Sequence, residues 1–316
     1  MRYGDELISF GGRTISSVNG FKNILGTYPK GWRVPLSYRQ EGERRDVYVR
    51  LAGVHARDEL LEKMQQTPIT PPQPKQPREG RPKERDQDQP QPRPRLPLPR
   101  RPSGAVKEAP PEHVAKLIKP RIGYANYYFN ELNRDRVWSD FTAHGDLAKV
   151  APQWNLSGQV VDGGPFEIRL GPEKVDLFLP GQRARVDVTD DLDTQLLPAG
   201  SGGMLPAMHV WQHMLRVGPQ QFGDVYYLGT CPVMDHPELC DVLVGTYNVV
   251  ESRFSFSPTT GHLAHVELYP DINSDPCELY FDEYKQVQGM MMPHRIRVRF
   301  GSRQFVELAI DKIEFV

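Results

Sequence analysis

The chain has 316 residues with 30 Pro, 27 Gly and 3 Cys, a length that holds one large or two ordinary domains. The formal net charge is −1 but unevenly spread, with 11 basic against 8 acidic groups over residues 1–64, 10 against 6 over 65–112, and 18 against 26 over 113–316. No basic stripe with interleaved aromatics accompanies the positive part, so the pattern gives no sign of a nucleic-acid partner. No apolar run approaches the ~18 residues of a membrane span and no signal peptide precedes Gly4, so the chain as given is expected to be soluble and unexported.

The first elements are short strands. Gly4-Asp5-Glu6-Leu7-Ile8-Ser9-Phe10-Gly11-Gly12-Arg13-Thr14-Ile15 places apolar residues at Leu7, Ile8, Phe10 and Ile15 around a turn at Gly11-Gly12. A short helix is predicted over Ser17–Gly26 and a hairpin follows, with strands near Trp32–Arg39 and Arg44–Leu51. Val34, Leu36 and Tyr38 alternate on one strand, Val47, Val49 and Leu51 on the other, and Glu41-Gly42 supplies the turn. This succession resembles the middle and end of a PDZ domain, whose G-D-x-I-L-x-I-N-G strand matches here, with Gly11 where Asn is more usual. Either residue tolerates a left-handed turn. The carboxylate-binding loop and peptide-binding strand of that family have no counterpart, so residues 1–53 are expected to be the C-terminal portion of a PDZ-like domain from a longer protein.

A short helix is predicted over residues 54–64. From Gln65 to Pro111 there are 14 prolines and almost no aliphatic residues. Such a stretch cannot bury enough apolar area to offset its ordering entropy, so 65–112 is expected to be a disordered Pro-rich tether. Pro92-Arg93-Pro94-Arg95-Leu96-Pro97-Leu98-Pro99 also has the form of a proline ligand, and a bare spacer is the preferred reading.

Residues 113–316 are expected to fold as α+β. A helix is predicted over Tyr124–Ala143, then strands near Trp154–Val161, Phe166–Leu170, Val175–Leu179 and Ala184–Val188. A helix over Met204–Val217 precedes strands near Asp224–Gly229, Asp241–Thr246, Val249–Phe256, His262–Tyr269, Cys277–Val287, His294–Phe300 and Gln304–Phe315. These are about eleven strands, joined by turns short enough for antiparallel meanders rather than crossovers. Arg295-Ile296-Arg297-Val298-Arg299-Phe300 sets three apolar residues on one face and three arginines on the other. A sheet with one oily face needs a cover, and the stripe Met204, Met208, Trp211 and Leu215 on the central helix is the candidate.

Phe254-Ser255-Phe256-Ser257-Pro258-Thr259-Thr260-Gly261-His262-Leu263, with Asp282-Glu283-Tyr284-Lys285-Gln286-Val287-Gln288-Gly289 and Met292-Pro293-His294, is similar to the F-x-F-D-P-x-T-G-x-L, D-Y-x-x-V-D-G and L-P-H sequence of the lipoprotein-carrier family (LolA-like and LppX-like). Ser257 and Gln288 depart from that family's usual acidic residues. The passage from His144-Gly145-Asp146-Leu147 to Leu156-Ser157-Gly158 is similar to its helix-to-first-strand junction. The resemblance implies a strongly curved half-barrel sheet closed by helices. PDZ-like segment, tether and carrier-like sheet together look like the C-terminal part of a trypsin-like (HtrA-type) serine protease. That implies a parent that is periplasmic or extracytoplasmic if exported; the compartment of this chain stays open.

Chemistry-bearing residues are sparse. Gly200-Ser201-Gly202-Gly203 approaches a protease nucleophile motif, but Ala199 replaces the outer Gly, so Ser201 reads as a helix cap. His209 and His213 have the i, i+4 spacing of metal ligands, and a third would have to come from His236 or Asp235; flanks of a buried helix are the preferred reading. Cys231 and Cys240 bracket a loop that a disulfide could close, while Cys277 lies on a strand. Asp187, Asp190, Asp191 and Asp193 crowd one turn, by default a solvated one rather than a calcium site. His262 and His265 fall on opposite faces of a strand. No catalytic residue, metal or cofactor is therefore assigned. The first expectation is a non-catalytic binding or regulatory segment acting on a protein or peptide partner. The alternative is a carrier of a lipid or other apolar ligand on the concave sheet face, lined by Trp211, Leu215, Phe254, Phe256, Leu279 and Phe281, residues that would otherwise form plain core.

Overall fold

The computed structural model describes residues 4–53, 111–117, 128–271 and 274–316. The predicted helix over 54–64, the Pro-rich tether as far as residue 110 and the start of the helix predicted from Tyr124 lie outside the described residues. The chain divides into two units, one made of Met1–Val54 with Lys119–Val316 and the other of His55–Ile118.

In the first unit, β1 (Glu6–Phe10), β2 (Arg13–Thr14), β3 (Arg33–Gln40) and β4 (Glu43–Arg50) form a four-stranded antiparallel sheet in the order β2-β1-β3-β4. Helix α1 (Val18–Leu25) starts where the Ser17 hydroxyl accepts from the Gly20 N–H at 3.1 Å and caps it. Glu41 and Gly42 both have positive φ, as a two-residue hairpin with the right twist requires. Phe10, Val34, Leu36 and Tyr38 form the small core, bordered by Val49 and Leu51. Val47 remains exposed because β4 is an edge strand. Among the described residues the second unit has one short helix, α2 (Glu112–Ala115).

Helix α3 (Tyr128–Thr142) leads into eleven strands of one open antiparallel sheet. They are β5 (Trp154–Val160), β6 (Pro165–Leu170), β7 (Lys174–Leu179), β8 (Gln182–Asp187), β9 (Asp224–Pro232), β10 (Leu239–Tyr247), β11 (Val250–Phe256), β12 (Leu263–Tyr269), β13 (Cys277–Val287), β14 (Met290–Phe300) and β15 (Arg303–Phe315). Their order is β8-β7-β6-β5-β15-β14-β13-β12-β11-β10-β9, so two meanders are joined where the last strand pairs with the first. That seam is tight: a Cβ on Gly158 would lie 2.0 Å from the Ala309 carbonyl oxygen. Compared with the predicted strands, β9 runs three residues further, to Pro232, because Cys240 and Leu239 continue its ladder. β14 begins at Met290 because the tight turn at Gln288-Gly289 lets it pair with Val287 at once.

Helix α4 (Met204–Val217) lies against β6, β7 and β8 and also against β12 and β13. In sheet order β8 and β12 are seven strand spacings apart, about 34 Å in a flat sheet at ~4.8 Å each. A helix of this length reaches only about 21 Å. The sheet must therefore bend around the helix. This changes the expected single stripe: besides Met204, Met208, Trp211 and Leu215, the flanking Leu205, Val210, His209 and Gln212 are also buried. Gln212 is tolerated there because its amide donates to the Pro152 and Leu170 carbonyls at 2.7 and 3.1 Å. The four-residue helix α5 (Pro219–Phe222) follows.

Candidate functional site

The concave face and α4 enclose one continuous apolar interior. All six residues predicted to line a ligand site fall in it: Trp211, Phe254 and Leu279 are fully buried, and Leu215, Phe256 and Phe281 nearly so. Trp211 stacks on Phe281 with ring centres 5.1 Å apart and meets the Trp154 ring edge-on at 5.5 Å. Phe254 packs against Phe222 and Phe256 against Phe141, each pair at 5.6 Å. A buried aromatic side chain removes about 150–250 Å² from water, on the order of 4–6 kcal/mol each, so this lining also stabilises the fold.

The interior is not wholly apolar. The indole N–H groups of Trp154 and Trp211 and both ring nitrogens of His209 are buried without a hydrogen-bond partner among the described residues. Burial, with the neighbouring His213 adding to it, pushes the His209 pKa down to about 3, so the ring is neutral. Buried donors without partners are uncommon in folded proteins, and here two N–H donors sit on adjoining rings.

A second constellation lies on the opposite face, where the small sheet packs on β10–β13. Arg33 of β3 donates from Nε and Nη2 to the two Glu278 oxygens at 2.9 and 2.5 Å, and from Nη2 to the Gly301 carbonyl at 2.6 Å. Arg50 of β4 bonds Glu278 as well, pairs with Glu267 at 2.7 Å and donates to the Gly31 carbonyl and Tyr269 hydroxyl. Glu278 is fully buried. Burial alone would raise its pKa, but the Arg33 hydrogen bond and the charges of Arg50 and Arg33 overcome this and hold it below the ordinary 4.5. His265 stacks on Tyr280 at 4.3 Å and is held neutral by burial despite the two carboxylates. A cavity of about 30 Å³, the size of one water, lies among Trp32, Arg33, Arg50, Cys231, Arg253 and Glu278.

Among the described residues, His265, Glu267 and Glu278 bring three atoms of metal-ligating type within 4.8 Å of one another. Two guanidinium groups already neutralise the two carboxylates. A divalent ion would have to displace them and leave buried positive charge, so the geometry is that of an ion-pair network.

The other residues singled out in the sequence separate. The cap position of α4 is Gly203, not Ser201; the Ser201 hydroxyl, two residues ahead, accepts from the Met204 N–H at 3.0 Å and the Gly203 N–H at 3.2 Å. His209 and His213 stack at 5.7 Å and continue into Tyr247 and Phe222. The third ligands considered for them are engaged elsewhere, Asp235 with Arg297 at 2.9 Å and His236 beside Cys240. Asp187 accepts from Thr189, while the carbonyls of Asp190 and Asp191 accept from Asn248 and Thr194. His262 stacks on Tyr284 and meets the His144 ring at a tilt.

Arg33, Arg50, Glu267 and Glu278 were not singled out in the sequence. The one signal was alternation: Cys277, Leu279 and Phe281 face inward, which puts Glu278 and Tyr280 on a face expected to be wet.

No protein-family model matches the chain, and no curated protein matches it by sequence. Among solved structures it is similar to a LolA superfamily protein from Nitrosomonas europaea, with 12% identity and a TM-score of 0.34 over 58% of this chain and 93% of that one. It is also similar to an outer membrane lipoprotein-sorting protein domain from Vibrio parahaemolyticus, with 13% identity and a TM-score of 0.33 over 60% and 93%. Strand order and register, rather than these scores, define the architecture.

Proposed function

We propose that the protein is a non-catalytic carrier of a molecule with an apolar chain and a carbonyl acceptor, taken up between α4 and the concave face of the sheet. One observation carries this reading: the Trp154 and Trp211 indole N–H groups, on rings 5.5 Å apart, lie without partners among the described residues in a mostly apolar interior. A carbonyl or carboxyl oxygen between them would satisfy both donors, and Phe254, Phe256, Leu279 and Phe281 would receive the chain. Uptake requires α4 to yield, and the helix is bounded by Gly203 and Gly218, both at positive φ.

Native mass spectrometry of the full chain with an added long-chain fatty acid tests it. The carrier shows a bound mass, and Trp211→Phe, which keeps the ring and removes the N–H, weakens uptake about 2- to 13-fold, the range of one hydrogen bond. No uptake by the folded wild type would discard the carrier and leave an apolar core. A second reading, protein interaction through the small sheet, is favoured by β4, which among the described residues pairs only with β3 and is exposed over Glu43–Tyr48. Such an edge can add an extended peptide strand. An amide-exchange footprint of bound peptide confined to β4 supports it.

A further inference from the structure

Three cysteines are free in this structure, and two of them face each other. Cys231 near the end of β9 and Cys240 near the start of β10 are direct register partners in the antiparallel ladder. Partners of this kind project from the same face with Cα atoms about 4.5–5.5 Å apart, inside the 4.4–6.8 Å that a disulfide spans. The loop Val233–Glu238 between them already closes the hairpin, so bridging requires side-chain rotation and not backbone movement. Among the described residues β9 is an edge strand of the eleven-stranded sheet, its backbone laddered to β10 and bonded at Tyr227 by the Asn130 side chain of α3.

We propose that Cys231 and Cys240 are a thiol pair that closes to a disulfide by exchange with a small-molecule disulfide of the glutathione class, tying the edge strand β9 to β10. The two sulfurs have unequal access. Cys231 is partly exposed, beside Trp32 and Arg253 at the rim of the small charged cavity. Cys240 is buried against Val233, Met234 and Tyr280, with His236 Nδ1 3.5 Å from its sulfur. This assigns the order of events. The Cys231 thiolate attacks one sulfur of the small disulfide, forms a mixed disulfide and releases one equivalent of small thiolate. The Cys240 thiolate then attacks the Cys231 sulfur, the protein disulfide forms, and the second equivalent leaves. The two protons lost by the cysteines end on the two released thiols, so two protein thiols are oxidised and one small disulfide is reduced. Cys277 takes no part, since it is fully buried among the apolar residues of the opposite, concave face.

Burial holds both thiols above the ordinary range, Cys240 at about 12, so little thiolate is present at neutral pH and exchange is slow. Its rate should rise about tenfold per pH unit while both groups remain mainly protonated.

The test incubates the folded full chain with oxidised glutathione between pH 7 and 9, followed by acid quench, intact mass and peptide mapping. The expected product has lost two hydrogens, carries no glutathione, shows Cys231 joined to Cys240, and retains a single thiol at Cys277 that reacts with a maleimide only after unfolding. Amide exchange along β9 slows on oxidation. Cys240→Ser is expected to stop at a lasting glutathione adduct on Cys231, and Cys231→Ser to stay unmodified. Three thiols persisting at pH 9, a lasting glutathione adduct on the wild type, a bridge that includes Cys277, or a Cys231–Cys240 bridge formed only in denaturant would each overturn the proposal. The crosslink is read on the wild type, so the test holds even where a variant fails to fold.

Discussion

Replacing Glu278 with Gln keeps the side-chain shape and removes one charge from the network under the small sheet. Arg33, itself buried, would lose a bidentate carboxylate and its charge partner, keeping the Gly301 carbonyl and one neutral amide oxygen. Arg50 would keep Glu267, the Gly31 carbonyl and Tyr269. Breaking a buried ion pair by removing one partner costs about 3–5 kcal/mol because the other charge stays desolvated. For a folded unit of this size that lowers Tm by roughly 6–20 °C, at about 2–4 °C per kcal/mol. Urea and thermal unfolding of the full chain measure it directly. Replacing both partners, Arg33→Met with Glu278→Leu, should recover most of the loss, since no uncompensated charge remains. The pH dependence has a defined sign. Glu278 has a folded pKa below its ordinary 4.5, so its contribution is fully present above that value and is lost as pH falls through the folded pKa. A Glu278→Gln cost below about 1 kcal/mol, the size of an exposed pair, would refute the view that this network holds the two sheets together.

Three further outcomes are expected. His209 has a folded pKa of about 3 against 6.5 unfolded, so between those values the unfolded state takes up the proton and stability is lost as pH falls. His209→Phe should flatten the pH 6.5 to 4.5 stability slope by about 1.4 kcal/mol per unit, and an unchanged slope in urea titrations would count against a buried neutral ring. Gly158→Ala forces a methyl into the Ala309 carbonyl at the seam of the sheet and should cost about 1–3 kcal/mol in a thermal melt. Trp211→Ala should cost about 3–5 kcal/mol if the ring is ordinary core, whereas a modest loss together with abolished fatty-acid uptake supports the carrier.

Element type and much of each boundary were legible in the sequence because they depend on local periodicity. The period-2 alternation of Arg295–Phe300 and the apolar spacing across Met204–Val217 specify β14 and α4 without reference to any other segment. The apolar members of the candidate interior were equally legible, since Leu279 and Phe281 can face only one way once Cys277 faces inward. What tertiary structure alone decided is every relation between distant segments. Arg33 and Glu278 stand 245 positions apart, and nothing near either marks it as a partner; only the docking of β3 and β4 on β12 and β13 desolvates both. The same docking turns a face patterned for water into a second buried layer. The bend of the sheet around α4 immersed His209 and Gln212, which an amphipathic helix on a flat sheet would have left wet, and the shift in the His209 pKa follows from that immersion. The pairing of Cys231 with Cys240 likewise depended on β9 running to Pro232, a boundary set by the register of its neighbour and not by its own residues. Periodicity is a property of one segment in contact with an average surface, while curvature, register and charge burial belong to pairs of segments and arise only when those segments meet.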